Sequence, residues 1–132
     1  KKVGGITVIE DCYNASPDSQ KAALDVLSSF KSNRRIAVLG DMLELGKYSD
    51  VSHENVGKYT ENKNIDILFT YGAKAKHIAE GFVDEIKSFD DKTELVKALL
   101  ETLKDGDAVL FKASRGMKLE DVINSLYREW EE

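Results

Sequence analysis

Cysteine occurs once in this sequence, at Cys12. A single thiol can form no intramolecular disulfide and no CxxC metal pair, which suits a reducing cytoplasm. Long apolar runs are also missing. No stretch approaches the roughly 18 residues needed to cross a bilayer, and no signal-peptide pattern is present, so neither membrane insertion nor secretion is expected. Positive charge is not in excess: the formal net charge is -5, and Lys and Arg nowhere gather with aromatics. Nucleic acid is therefore not an expected partner. Histidine is scarce, with only His53 and His77. Neither has a further ligand at zinc-site spacing, and no metal ligands are assigned in this chain. Two phosphate-binding signatures are absent, G-x-x-x-x-G-K-[ST] and a G-x-G-x-x-G after the first strand. By itself the chain lacks a loop for nucleotide phosphates. Ser114 has no base evident in the sequence, so an acyl-enzyme is not supported.

What is present belongs to a globular protein, with 42% hydrophobic and 33% charged residues. A chain of 132 residues can build one core but not two ordinary domains, so residues 1–132 are read as a single domain. Because it opens Lys1-Lys2-Val3 without methionine, it is expected to be a piece of a longer protein.

Residues 6–10 are a β-branched strand, and Gly4-Gly5 before them suggest a tight turn whose antiparallel partner has been clipped away. Ser16 reads as an N-cap and Pro17 as the first residue of a helix to Lys31, with Ala23, Leu24, Leu27 and Phe30 on one face. Residues 36–39 form a short apolar strand. A modest helix is expected near 53–63, a strand over 65–71, a short helix carrying Ala75, Ile78, Ala79 and Phe82, and an edge strand over 85–89. Asp90 or Asp91 caps a helix with Leu95, Leu99 and Leu103 in its stripe, and Gly106 beyond it suits a left-handed residue. Residues 108–111 are another core strand, and a last amphipathic helix runs from about 118 to 131. Alternating strands and helices predict an α/β fold, a Rossmann-like three-layer sandwich. Its mainly parallel sheet would have five to six strands, with helices on both faces.

Three polar loops follow strands, after Asp11, Leu39 and Phe111, and in a parallel sheet such loops converge on one edge. In the first, Asp11 and Asn14 could meet a ribose or base edge beside Tyr13, or Asp11 could simply cap a turn. In the second, Asp41 and Glu44 lie between Gly40 and Gly46 and are either cleft-lining or merely solvated. Met42, Leu43 and Leu45 there are expected to be exposed for packing against another domain. In the third, Lys112 and Arg115 bring positive charge, Ser114 a hydroxyl, and Gly116 room for close approach. A helix N-terminus follows, so the loop suits a carboxylate, or else just caps that helix.

Three stretches carry a resemblance: Asp11-Cys12-Tyr13-Asn14-Ala15-Ser16-Pro17-Asp18-Ser19, then residues 35–46 with His53 after them, then residues 112–120. In this order they resemble the C-terminal domain of the Mur ligases, in the version that adds D-alanyl-D-alanine. Cys12, Ser16 and Ala113 depart from the usual Ser, Asn and Gly, and no role is assigned to positions 12 and 16. The resemblance implies a cytoplasmic ATP-dependent amide ligase of peptidoglycan precursor synthesis, with ATP and Mg2+ held mainly by a preceding central domain. It implies a nucleotide side at Asp11, Tyr13 and Asn14, and a D-alanyl-D-alanine side at Lys112, Ser114, Arg115 and Gly116. Asp41, Glu44 and His53 would form a cleft loop, and no catalytic residue would lie in this domain alone. The implied partners are N-terminal and central domains of the same chain, UDP-N-acetylmuramoyl-tripeptide and D-alanyl-D-alanine. The alternative from the residues alone is a stand-alone, non-catalytic Rossmann-like binding or interaction module.

Overall fold

The central strands of the sheet are buried on both faces, and the apolar runs read from the sequence explain why. In the computed structural model, residues 2–12, 15–43, 45–61, 63–81 and 85–131 are described. The strands are β1 (Lys2–Val3), β2 (Ile6–Asp11), β3 (Arg34–Gly40), β4 (Ile67–Tyr71), β5 (Glu85–Phe89) and β6 (Asp107–Lys112). The helices are α1 (Pro17–Ser29), α2 (Ser49–Thr60), α3 (Lys92–Thr102) and α4 (Glu120–Glu131). The six strands lie in the order β1-β2-β6-β3-β4-β5. All neighbours are parallel except β1, which pairs antiparallel with β2.

Alternate residues of each strand supply the two cores. Ile36, Val38, Phe69, Val109 and Phe111 pack with Leu95 and Leu99 of α3 and with Val122, Ile123 and Leu126 of α4. Ala37, Leu39, Leu68, Ala108 and Leu110 pack with Ala23, Leu24 and Leu27 of α1 and with Val56 of α2. This is the expected three-layer α/β sandwich.

Local chemistry sets the ends of the elements. Ser16 accepts from the Ser19 amide and Ser19 returns a bond to the Ser16 amide, a closed capping box before Pro17. Asp91, not Asp90, caps α3 through the Thr93 amide. Gly106 is left-handed, at φ +95°. Other boundaries moved. The partner expected to have been clipped away is β1 itself. The helix expected near 53–63 spans Ser49–Thr60, because a 3-10 turn at Gly46–Tyr48 leads straight into it without a side-chain cap. The strand starts at Ile67 rather than residue 65, since Asn64 is left-handed and the Asp66 amide donates to the Arg35 carbonyl. The short helix is two single 3-10 turns, Ala75–His77 and Ala79–Gly81, and Phe82 lies outside the described residues. Lys118 is left-handed, which delays α4 to Glu120.

Candidate functional site

Strand register brings the three polar loops together. At the carboxyl ends, Asp11 pairs with Lys112, and Lys112 also pairs with Leu39 of β3. Strand β6 therefore lies between the other two, and its loop is flanked by both of theirs. The helices that follow leave toward opposite faces, α1 and α2 on one and α4 on the other. Such divergence opens a crevice at the carboxyl edge.

Lys112 donates to Asp11 at 2.8 Å, with its side chain 4% exposed and the Asp11 side chain 44% exposed. In this structure Lys112 meets the carboxylate of Asp11. Its ammonium is buried and already paired, and it fixes the half-open Asp11 carboxylate at the edge.

The loop after β3 is fastened from three directions. Asp41, 6% exposed, accepts from the amides of Lys74 (3.0 Å) and Ala75 (2.6 Å) in the loop after β4. It is thus buried and bonded rather than solvated. His53 is fully buried and does not line a cleft surface. Its Nδ1 lies 2.6 Å from the Ser49 carbonyl oxygen, and the Met42 amide donates to its Nε2 at 2.9 Å. A carbonyl can only accept and an amide N–H can only donate, so the ring is neutral and carries its proton on Nδ1. Burial lowers the His53 pKa below the ordinary histidine value; the bond to Ser49 and the Asp41 charge oppose that, while His77 and Lys74 reinforce it. The third fastening is to the loop after β6. Leu43 N–H donates to Ser114 Oγ at 2.8 Å, and Ser114 N–H donates to the Asp41 carbonyl at 3.1 Å.

These bonds overturn the expectation that Met42, Leu43 and Leu45 stand exposed. Met42 is fully buried in this domain's own core, drawn down by Asp41 and His53 on either side of its amide. Leu43 and Leu45 are half-buried, and Leu43 covers Gly116, where an added Cβ would meet Leu43 Cδ1 at 3.0 Å. The room at Gly116 is thus used by Leu43. Ala113 is buried against Gly40, where a Cβ would come within 2.6 Å of the Ala113 Cβ. Arg115 is exposed on the same loop. Tyr13, Asn14 and Glu44 lie outside the described residues.

Cys12 donates weakly to the Phe111 carbonyl at 3.6 Å. Burial and the nearby Glu120 push its pKa up to about 12, so it stays a thiol and is no nucleophile. Among the described residues, no three His, Cys, Asp or Glu side chains gather to hold a metal ion. With Asp41 bonded to two amides and Asp11 to Lys112, the described residues do not fit a magnesium site. Nor is any helix among them long and apolar enough to cross a membrane.

Residues 1–115 match the family model described as Mur ligase, glutamate ligase domain. The chain belongs to the Mur ligase family. Among its curated Mur ligase relatives, UDP-N-acetylmuramoyl-tripeptide--D-alanyl-D-alanine ligase of Bacillus subtilis is 41% identical, over 96% of this chain and 29% of that protein. The enzyme of the same name from Haemophilus influenzae is 40% identical, over 92% of this chain and 27% of its own length. Among solved Mur ligases, MurF of Thermotoga maritima in complex with ADP superposes with a TM-score of 0.87 at 31% identity. That match covers 99% of this chain and 30% of the other. The chain thus spans under a third of the length of these curated relatives.

Sequence reasoning missed the residues under the edge. Ser49, Lys74 and Ala75 join the site through backbone groups, which leave no signature in side-chain identity. Gln20, also missed, is fully buried and its Nε2 donates to the Gly40 carbonyl at 3.3 Å.

Proposed function

We propose that this chain is the C-terminal domain of a cytoplasmic, ATP-dependent amide ligase that joins D-alanyl-D-alanine to UDP-N-acetylmuramoyl-tripeptide. The observation that carries the reading is the stitched carboxyl edge. Lys112–Asp11 joins the loop after β2 to the loop after β6, and Ser114 joins the latter to the loop after β3. The relatives' shared name over nearly the whole chain supplies the substrates. Asp11, with Tyr13 and Asn14 of the same sequence motif, takes the nucleotide side. Its half-exposed carboxylate, held by Lys112, can accept from ribose hydroxyls. Ser114 accepts the Leu43 amide and keeps its own proton to donate; with the Arg115 guanidinium it suits the carboxylate of the dipeptide. Asp41 and His53 shape the edge from beneath without touching a ligand.

In the reaction, the tripeptide carboxylate takes the γ-phosphoryl group of ATP and releases ADP. The dipeptide amine then attacks the acyl carbon, phosphate leaves, and the amine's proton goes to solvent. This domain contributes orientation of nucleotide and dipeptide, a matter of positioning and charge rather than covalent chemistry. ATP phosphates and Mg2+ belong to the preceding domains of the same chain. The whole enzyme should form amide, ADP and phosphate in equal amounts only when tripeptide and D-alanyl-D-alanine are both present. ADP release without amide formation under those conditions would overturn the assignment.

A further inference from the structure

His53 is separated from the crevice by the backbone it holds, yet its bonds lead directly to the edge. Met42 N–H donates to His53 Nε2 at 2.9 Å. The next amide in the chain, Leu43 N–H, donates to Ser114 Oγ at 2.8 Å. We propose that His53 is a positioning residue: its neutral ring fixes the Met42–Leu43 backbone, and through the Leu43 amide it aims the Ser114 hydroxyl. With one Ser114 lone pair committed to Leu43, the hydroxyl proton cannot point at the Leu43 amide.

The arrangement requires one protonation state. Adding a proton at Nε2 removes the acceptor and sets N–H against N–H. The Met42 amide, beside a side chain that is fully buried, would then lack a partner in the interior, a costly state that the loop would relieve by moving. The charged groups that act on the ring are Asp41, which favours the cation, and Lys74 and His77, which oppose it. His77 itself pairs with Glu80 at 2.9 Å and Asp50 at 3.4 Å. Burial outweighs the bond to Ser49 and the single favourable carboxylate, so the ring's pKa is lowered and the neutral form is favoured. A purely space-filling His53 would need neither this tautomer nor an acceptor at Nε2.

The loop geometry stands independently of the functional reading; only its consequence for the dipeptide rests on Ser114 as a dipeptide residue. The test is a pH titration of this chain by amide and imidazole NMR, with His53→Gln and His53→Leu beside it. In the parent, the Met42, Leu43 and Ser114 amides should shift in one transition shared with the His53 ring, below the ordinary histidine range. His53→Gln, which keeps an acceptor near Nε2, should abolish that transition and leave the three amides close to their neutral-pH positions. His53→Leu should displace them at every pH and speed hydrogen exchange at Met42 by roughly tenfold or more. Loop amides that ignore the His53 titration, or equal displacement by Gln and Leu, would overturn the proposal. Kinetics on the whole ligase form a separate arm, with His53→Leu expected to raise KM for D-alanyl-D-alanine more than that for ATP. Loop responses as predicted with an unchanged dipeptide KM would support the positioning role and contradict the assignment of Ser114.

Discussion

At the scale of single residues, the edge is built from pairs that constrain each other. Gly40 and Ala113 face each other across β3 and β6, and a Cβ on Gly40 would stand 2.6 Å from the Ala113 Cβ. Gly40→Ala should therefore cost about 1–3 kcal/mol by overpacking. Adding Ala113→Gly should recover most of the loss. Urea unfolding of the single and double variants checks both, and a double variant no better than the single would refute the contact. Position at or after the end of a strand was enough to point to Asp11, Asp41, Lys112 and Ser114, whereas His53 was reached only through the family resemblance. Their partners were not legible. Asp41 bonds to amides 33 and 34 residues away, and a backbone amide is the same in every residue but proline. Lys112 was grouped with Arg115 as charge for a carboxylate, because nothing local shows that β6 is central and its end covered.

Elements were legible where the side chains of a segment decide its structure. The capping box at Ser16, the Asp91 cap and the apolar stripes of α1, α3 and α4 are local properties. The start of α2 was not, because a 3-10 turn without a side-chain cap feeds it. Strand order was equally hidden, and it rests on long-range pairs such as Arg34 with Asp107. There Arg34 Nε and Nη2 donate to the two Asp107 oxygens at 3.0 and 2.7 Å, across the first rung between β3 and β6. Asp107 is 1% exposed and also accepts from the Lys104 amide. Arg34→Ala would leave that carboxylate short of donors in the interior. A loss of about 3 kcal/mol or more is expected, read as a lower urea midpoint with an unchanged slope. A loss below about 1 kcal/mol, the range of surface ion pairs, would show that the pair does not pin the central strands.

For the molecule as a whole, the central position of β6 matters most, because it places the loop carrying Ser114 and Arg115 between the other two. The buried His53 also gives the domain a pH dependence. Its folded pKa is lowered, so below the unfolded value of about 6.5 the unfolded chain binds the proton more readily. The His53 contribution is complete above that pH and is lost as pH falls through the lowered folded value. Melting temperature should decline over this window, and less so in His53→Gln; parallel curves for the two proteins would contradict the neutral, buried ring. The central claim is that this domain orients the dipeptide from the loop after β6 and the nucleotide from the loop after β2. Its most direct test is steady-state kinetics of the whole ligase carrying Arg115→Ala or Asn14→Ala, with each substrate varied in turn and melting curves matched to the parent. A charge-assisted bond is worth about 1.5–3 kcal/mol, so Arg115→Ala should raise KM for D-alanyl-D-alanine roughly 10- to 150-fold with little change for ATP. Asn14→Ala should show the opposite bias more weakly. A reversed bias, or equal losses toward both substrates from both variants, would contradict it.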